Sequence, residues 1–308
     1  MNLADRLSFT NGVQTAWDDT SVTLAQECPR KYYYKMLLNL QPTATSVHLI
    51  FGGIYASALE HFYLYRAEGD SIQRALHRVV AEAMQASWDS EAGAPIEFND
   101  ANKTRVNLIR SIVWYVDQFG DEAESFITTY HLASGKPAVE LSFTLEFDED
   151  ILYCGHLDRV VEYGGGLYWM DQKTTKTTIT PRYFQQFKPH NQFMGYTWAG
   201  QIILHSPLKG GIVDAAQVAV GFTRFERQPI TFNQQQLDEW RDNTLYTIRH
   251  MQDLTAAGRF PMNLASCGNY GGCPYRLLCE RSPSVRDRFI EGNFVHGEPW
   301  EPLKARNE

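Results

Sequence analysis

Residues 154–174 read Cys154-Gly-His-Leu-Asp158-Arg-Val-Val-Glu-Tyr-Gly164-Gly-Gly-Leu-Tyr-Trp169-Met-Asp171-Gln-Lys173-Thr174. Two extended runs, Ile151 to Val161 and Leu167 to Lys173, flank Gly164-Gly165-Gly166, a turn that only glycine enters freely. Just upstream, Glu140 to Phe147 places an apolar residue at every second position, the pattern of a strand with one buried face. Residues two apart on a strand share a face, so Trp169, Asp171 and Lys173 project together, and a hairpin partner can bring Asp158 beside them. The stretch predicts an antiparallel hairpin that gathers two carboxylates and one ammonium.

Outside this hairpin the period is helical. Ser21 precedes a helical run through Lys35 with a junction at Pro29, and Gly52-Gly53 opens a helix to about Arg66. Asp70 caps a third helix, and Asn102 to about Tyr130 has helical spacing. Downstream, Tyr183 to about His205 is helical, Gln217–Phe225 and Ile230–Phe232 are strands, and Gln234–Ala257 is a long helix ended by Gly258. The chain reads α, then β, then α: residues 1–135 mainly helical, 136–258 a sheet-bearing core, and 259–308 a loop-rich segment and tail with three of the five cysteines.

The 308 residues carry 28 Lys+Arg against 36 Asp+Glu, a net charge of −8; 44% are hydrophobic and 21% charged. These values exclude a disordered, collagen-like or coiled-coil chain. No run approaches the roughly 18 apolar residues that span a bilayer, and Met1-Asn-Leu-Ala-Asp-Arg6 is followed by no apolar signal region, so a cytoplasmic protein without membrane contact is expected. Net acidity counts against nucleic acid, whose phosphates are held by Lys and Arg. Five cysteines are too few for a disulfide scaffold and odd in number, which leaves metal binding or ordinary burial open.

The chemistry available to Asp158, Asp171 and Lys173 is metal-assisted phosphoryl transfer. Mg²⁺ or Mn²⁺ takes carboxylate oxygens and leaves positions for water and a phosphate oxygen. A neighbouring lysine can orient or help deprotonate the water, or offset charge in the transition state. A lone Asp-x-Lys triplet is expected about once by chance in a chain of this size. Here it sits in a longer order: strand, Gly155-x-x-Asp158, glycine turn, strand, Asp171-x-Lys173-Thr174, then Gln192-Phe-Met-Gly-Tyr196 on a helix.

In that order the chain resembles the RecB-like branch of the PD-(D/E)xK nuclease superfamily, from about Ser21 to Glu280. The branch includes helicase-nuclease domains, CRISPR adaptation exonucleases and phage exonucleases. The resemblance implies an α/β fold with a small central mixed sheet flanked by helices, a restriction-endonuclease-like core. It implies that Asp158 and Asp171 are acidic metal ligands, Lys173 the catalytic lysine, and Gln192 with Tyr196 the helix element beside the active site. Glu140 matches an acidic position often seen on the first strand, or is an exposed strand carboxylate. One departure stands out. Relatives often carry a histidine ligand four residues after an early-helix glycine, where this chain has Ala56; Glu60, one turn on, or its neighbour His61 could replace it, or neither.

Cys267, Cys273 and Cys279 follow a Cys-x5-Cys-x5-Cys pattern, and thiolates bind clusters or zinc in sets of four. Many relatives pair one cysteine before the nuclease core with three after it, so the resemblance implies a [4Fe-4S] cluster on Cys28, Cys267, Cys273 and Cys279, with zinc as the alternative metal. Cys154, on a strand, reads as a buried small apolar residue. Arg30, Lys31 and Lys35 around Tyr32–Tyr34, with Lys173, Lys176, Arg182 and Lys188, offer phosphate contacts and stacking rings, although the tyrosines read equally well as core. No phosphate-binding Gly-x4-Gly-Lys-[Ser/Thr] loop is present, so the chain is not expected to drive a helicase itself. The expected activity is Mg²⁺- or Mn²⁺-dependent, exonucleolytic hydrolysis of DNA, single-stranded or with free ends, in recombination, repair or phage DNA processing; a phage-encoded chain would work in the host cytoplasm. The alternative is a catalytically weak iron–sulfur DNA-binding subunit working with a helicase or recombinase.

Overall fold

A short strand, β1 (Ala16–Trp17), leads into helix α1 (Asp19–Glu27). The cap is reciprocal: the Ser21 N–H donates to Asp18 Oδ1 (2.9 Å) and the Asp18 N–H to Ser21 Oγ (3.0 Å). Asp18 is therefore the capping residue, and Ser21, expected in that role, answers it from inside the helix. Cys28 is extended because Pro29 disfavours helical backbone in the residue before it. Pro29–Tyr32 then forms one short helix, which widens into a π turn at Tyr33–Leu37. The computed structural model describes residues 9–10, 12–43, 47–269, 272–298 and 300; the opening Met1–Arg6 and the end of the tail lie outside them.

Helix α2 (Val47–Ala67) contains Gly52 and Gly53 rather than starting at them. Ser71, not Asp70, caps α3 (Ile72–Ala86), and the Asp70 carboxylate pairs with Arg78 at 2.8 Å. Helix α4 (Arg105–Phe119) is shorter than its apolar spacing implied, because the helix stops at Gly120 and one separate turn, Glu122–Ser125, capped by Asp121, leads into strand β2 (Thr128–Thr129). Strands β3 (Val139–Asp148), β4 (Ile151–Tyr163) and β5 (Gly166–Thr175) follow as an antiparallel meander. Gly164 and Gly165 take positive φ (54° and 71°) between β4 and β5, as the triple glycine predicted.

The helix expected over Tyr183–His205 divides into Pro181–Gln185 and α5 (Asn191–Ile203), with Pro189 in the break. Helix α5 is the crossover to β6 (Leu208–Val218), which pairs parallel to β5; β7 (Thr223–Ile230) returns antiparallel, and α6 (Gln234–Ala256) follows. The strand expected at Gln217–Phe225 spans the β6–β7 turn instead. Strand β6 is buried at every position but Lys209, so it lacks the alternation that betrays a one-faced strand.

The sheet is mixed, in the order β7-β6-β5-β4-β1, with β2 and β3 on the other edge of the long β4. One face packs Trp17, Trp169, Phe193, Tyr153 and Trp240 against α1, α5 and α6. The other packs Phe51, Tyr55, Phe62, Leu108 and Tyr115 from α2 and α4, with α3 outside. This is the α/β sandwich with a central mixed sheet that the sequence pointed to. Among the described residues, no helix is long and apolar enough to cross a membrane.

Candidate active site

Alternation along β5 divides its residues between the two layers. Trp169 stacks on Phe193 of α5 (4.5 Å between centroids) and its Nε1–H donates to Thr197 Oγ1 at 2.8 Å. Asp171 and Lys173 follow on that face. Gln172 points the other way and donates to Tyr115 Oη (3.3 Å) and Asp214 Oδ2 (3.2 Å). The last paired residues of β4 and β5 are Arg159 and Met170, so Asp158 and Asp171 are the next residues on each strand, at the mouth where they part. There the Gln172 N–H donates to Asp158 Oδ2 at 3.4 Å.

Asp171 is 1% exposed, and the Lys173 ammonium lies 2.5 Å from its Oδ2. Lys173 Nζ also donates to Gln192 Oε1 (3.1 Å), and Gln192 Nε2 donates to the Tyr196 hydroxyl (3.0 Å). Gln192 and Tyr196 are one helical turn apart, which is why spacing alone could pair them. Burial lifts the Asp171 carboxyl above its ordinary range. Burial alone would lower Lys173, but the charges of Asp171 and Asp158 outweigh it and hold the ammonium protonated. Gly195 lets α5 come this close to the sheet: a Cβ there would meet the buried Tyr153 hydroxyl at 2.0 Å.

A small cavity of about 90 Å³ opens on the other side of Asp158, lined by Glu60 of α2, Glu140 of β3, Asp158 and Arg159 of β4, and Gln172. Ala56 lines it too, one turn before Glu60. His61 instead has its Nδ1 2.7 Å from Glu82 of α3. Glu140 has φ of +49°, a left-handed conformation that costs a residue with a Cβ on the order of 1 kcal/mol and sits where β3 passes Asp158. Arg159, which no motif marks, is 3% exposed, with its guanidinium 3.6 Å from the Tyr63 ring centroid and 3.7 Å from Glu122.

Asp19 is the other residue the sequence gave no reason to single out. At the start of α1 it lies within charge range of Lys173 and Asp171; burial and the adjacent Asp18 push its carboxyl up to about 7. His190, which precedes α5, is held down near 4 by burial and by the Lys173 charge, so it is neutral at pH 7.

The cysteines gather at the far end of α1. Cys28 is buried, and its Sγ accepts from the Asn263 N–H at 3.3 Å. The Cys273 N–H donates to Cys267 O (2.9 Å). Cys273 lies within charge range of Cys267 and Cys28, and Cys279 within that of Cys273 and Cys28; burial raises both thiols. None of the five cysteines is in a disulfide, and Cys154, 1% exposed, donates to Trp17 O (3.4 Å) with its pKa pushed up to about 12 by burial. Of the Tyr32–Tyr34 run, Tyr32 (0%) and Tyr34 (3%) belong to the core, and Tyr33 is half-buried.

Among the described residues, no three His, Cys, Asp or Glu side chains are drawn together closely enough to hold a metal ion as they stand. The donor chemistry nevertheless fits. Glu60, Asp158 and Asp171 offer the hard oxygens that Mg²⁺ and Mn²⁺ take, and buried Asp171 Oδ2 has an ion-pair contact but no aligned hydrogen bond. The thiols of Cys28, Cys267, Cys273 and Cys279 are soft donors of the type that iron–sulfur clusters and zinc take.

No curated protein matches the chain. Similar solved structures are a candidate exonuclease from Eubacterium rectale (10% identity, 94% of this chain and 98% of that one, TM-score 0.49) and SSO0001 (11% identity, 79% and 81%, TM-score 0.33). A model of the PD-(D/E)XK nuclease superfamily matches residues 19–280, a span that holds the Asp158–Lys173 hairpin, Gln192, Tyr196 and all four clustered cysteines. The chain belongs to the PD-(D/E)XK nuclease superfamily.

Proposed function

We propose that the protein is a Mg²⁺- or Mn²⁺-dependent deoxyribonuclease that hydrolyses DNA from strand ends. The observation that carries this reading is the contact chain Asp171–Lys173–Gln192–Tyr196, with Asp158 at the same strand mouth. Asp158 and Asp171 would hold the cation, with Glu60 across the small cavity supplying a further oxygen; His61 is engaged with Glu82. When bound, the cation lowers the pKa of its water and offsets charge on the phosphate.

The protein's own groups do the positioning. Lys173, held against Asp171 and Gln192, is placed to orient the attacking water and to neutralise developing charge. Gln192 fixes the direction of the ammonium and is itself fixed by Tyr196. Cys28, Cys267, Cys273 and Cys279 would hold a [4Fe-4S] cluster that ties the α1 junction to the C-terminal segment; a colourless protein with stoichiometric zinc would replace iron by zinc in that assignment.

The test is digestion of end-labelled linear and circular single- and double-stranded DNA with Mn²⁺ by wild type and Lys173→Ala. Loss of linear DNA only, abolished in the variant, is expected. Cutting of circles removes the strand-end preference, and intact DNA with both proteins sinks the enzyme reading. Ala56, one turn before Glu60 and at the position where the resemblance implies a histidine ligand in many RecB-like nucleases, favours one second reading: a weakly catalytic DNA-binding subunit that works with a helicase or recombinase, seen in the same assay as binding without cutting.

A further inference from the structure

A surface pocket of about 670 Å³ lies beyond the end of α1, between the Pro29–Leu37 turns, the C-terminal end of α6 and the segment around Arg286. Its charged residues are Arg30, Arg259, Arg286 and Asp287, a local excess of positive charge on a chain of net charge −8. Among the described residues none of the three arginines is in an ion pair, whereas Arg78, Arg159, Arg224, Arg227 and Arg249 each have a carboxylate partner. Two are nonetheless held in place: Arg30 Nε donates to Phe260 O (2.6 Å) and Arg286 Nη2 to Cys279 O (3.2 Å). The wall beside them is aromatic, Tyr33 stacked on Phe260 at 4.4 Å and 15°, over a floor of Leu254 and Ile290.

Unpaired guanidiniums next to a ring face and an apolar floor have a chemical complement. Guanidinium forks match phosphate oxygens, and an aromatic face takes an unpaired base of any sequence. We infer that this pocket binds a nucleotide of single-stranded DNA, phosphate on the arginines and base against Tyr33 and Phe260, upstream or downstream of the bond to be cut. The inference rests on the Lys173 site being the one that cuts. Helix α1 sets the spacing: Asp19 at its start is within charge range of Lys173, and nine residues later Cys28 leads into Arg30. Nine residues of helix span about 14 Å, the rise of roughly four stacked nucleotides, so a strand of two or three nucleotides cannot fill both sites.

Arg259 isolates the pocket, because it is exposed and, unlike Arg30 and Arg286, does not act on the Cys279 thiol. The experiment is fluorescence anisotropy of labelled oligothymidylates of about 20 and about 3 nucleotides, without divalent metal, against wild type, Arg259→Glu and Arg259→Lys over a salt series. Arg259→Glu is expected to bind the long strand about tenfold more weakly, with a salt slope flatter by roughly one phosphate, and to lose less on the short strand, which can rest at the Lys173 site alone; Arg259→Lys stays close to wild type. Equal affinity and equal slope for wild type and Arg259→Glu overturn the inference, as does a wild type that does not bind the long strand. Binding that depends on Arg259 in a protein that never cuts overturns the nuclease reading alone. Cutting by a protein indifferent to Arg259 overturns only the pocket.

Discussion

The carboxylate–lysine site and the cysteine site are built on opposite plans. Asp158, Asp171 and Lys173 stand on strands whose backbone register is fixed by continuous ladders: β5 pairs with β4 up to Met170 and with β6 from Trp169 through Thr175. The cysteines stand on a helix junction and on short turns, and their two chain segments are joined by separate bonds, among them Arg30 N–H to Pro261 O (3.2 Å), Arg30 Nε to Phe260 O (2.6 Å), Asn263 Nδ2 to Glu27 O (2.8 Å) and Asn263 N–H to Cys28 Sγ (3.3 Å), and by one three-residue strand pair, Leu40–Pro42 with Phe294–His296. A ladder positions side chains before any ligand arrives. Turns and a short strand pair hold side chains less firmly than long ladders do, so metal removal should separate the two regions.

The largest effect is expected where the ladder meets buried charge. Lys173→Ala should lower DNA cleavage by about 10²–10⁴-fold. It should also destabilise the fold by about 3–5 kcal/mol, because Asp171 stays buried without its partner. Adding Asp171→Asn should return most of that stability and none of the activity, read by denaturant midpoints beside cleavage rates. A double variant as unstable as Lys173→Ala would mean that the ladder, rather than the ion pair, sets stability there.

Cysteine substitution tests the other plan. Cys28→Ser or Cys273→Ser should lose the bound metal and lower the melting temperature by roughly 5–15 °C, with the Asn263–Cys28 region exchanging amide hydrogens faster. Cys154→Ser, in a buried strand far from the thiol group, should keep the metal. Equal metal content in all three proteins would break the four-plus-one division.

Gly195→Ala probes how tightly the helix must seat on the ladder. Its Cβ would collide with the Tyr153 hydroxyl, and neither the sheet nor Trp240 leaves that ring room to retreat, so a loss of about 1–3 kcal/mol is expected. Tyr153→Phe in the same chain should recover part of it. Additive losses in the pair would show that the collision is not the cause.

The smallest effect is a pH slope. The folded chain holds His190 near 4, and the unfolded chain titrates near 6.5. Between those values the unfolded state takes up a proton that the folded state does not, so stability falls as the pH is lowered through that window and is flat above it. The loss between pH 7 and pH 5 is on the order of 1–2 kcal/mol. Asn is a good helix cap, so His190→Asn should flatten the slope without loosening α5, measured as unfolding midpoints near pH 7 and near pH 5. An unchanged slope would assign the acid sensitivity to other groups.

Short-range periodicity made the β3–β5 meander readable, and with it the shared face of Asp171 and Lys173 and the helical turn between Gln192 and Tyr196. It failed at β6, whose residues are buried on both faces and so show no alternation, and at Tyr183–His205, where Pro189 divides one helical run into two elements. Asp19 and Arg159 were invisible for a different cause. Each is an ordinary charged residue in its own segment and acquires its role from what packs above it.

The sequence by itself determined the hairpin, its glycine turn and the order of the carboxylates and lysine along it, because strand and helix periods are local properties of the chain. Only the tertiary structure decided that Glu60 rather than His61 shares a cavity with Asp158, that Asp19 in the first turn of α1 comes within charge range of Lys173, and that Cys28 comes within charge range of Cys273 and Cys279 from the other end of the chain. Those choices depend on which faces of distant elements are buried together, and burial belongs to the packed molecule rather than to any segment of it.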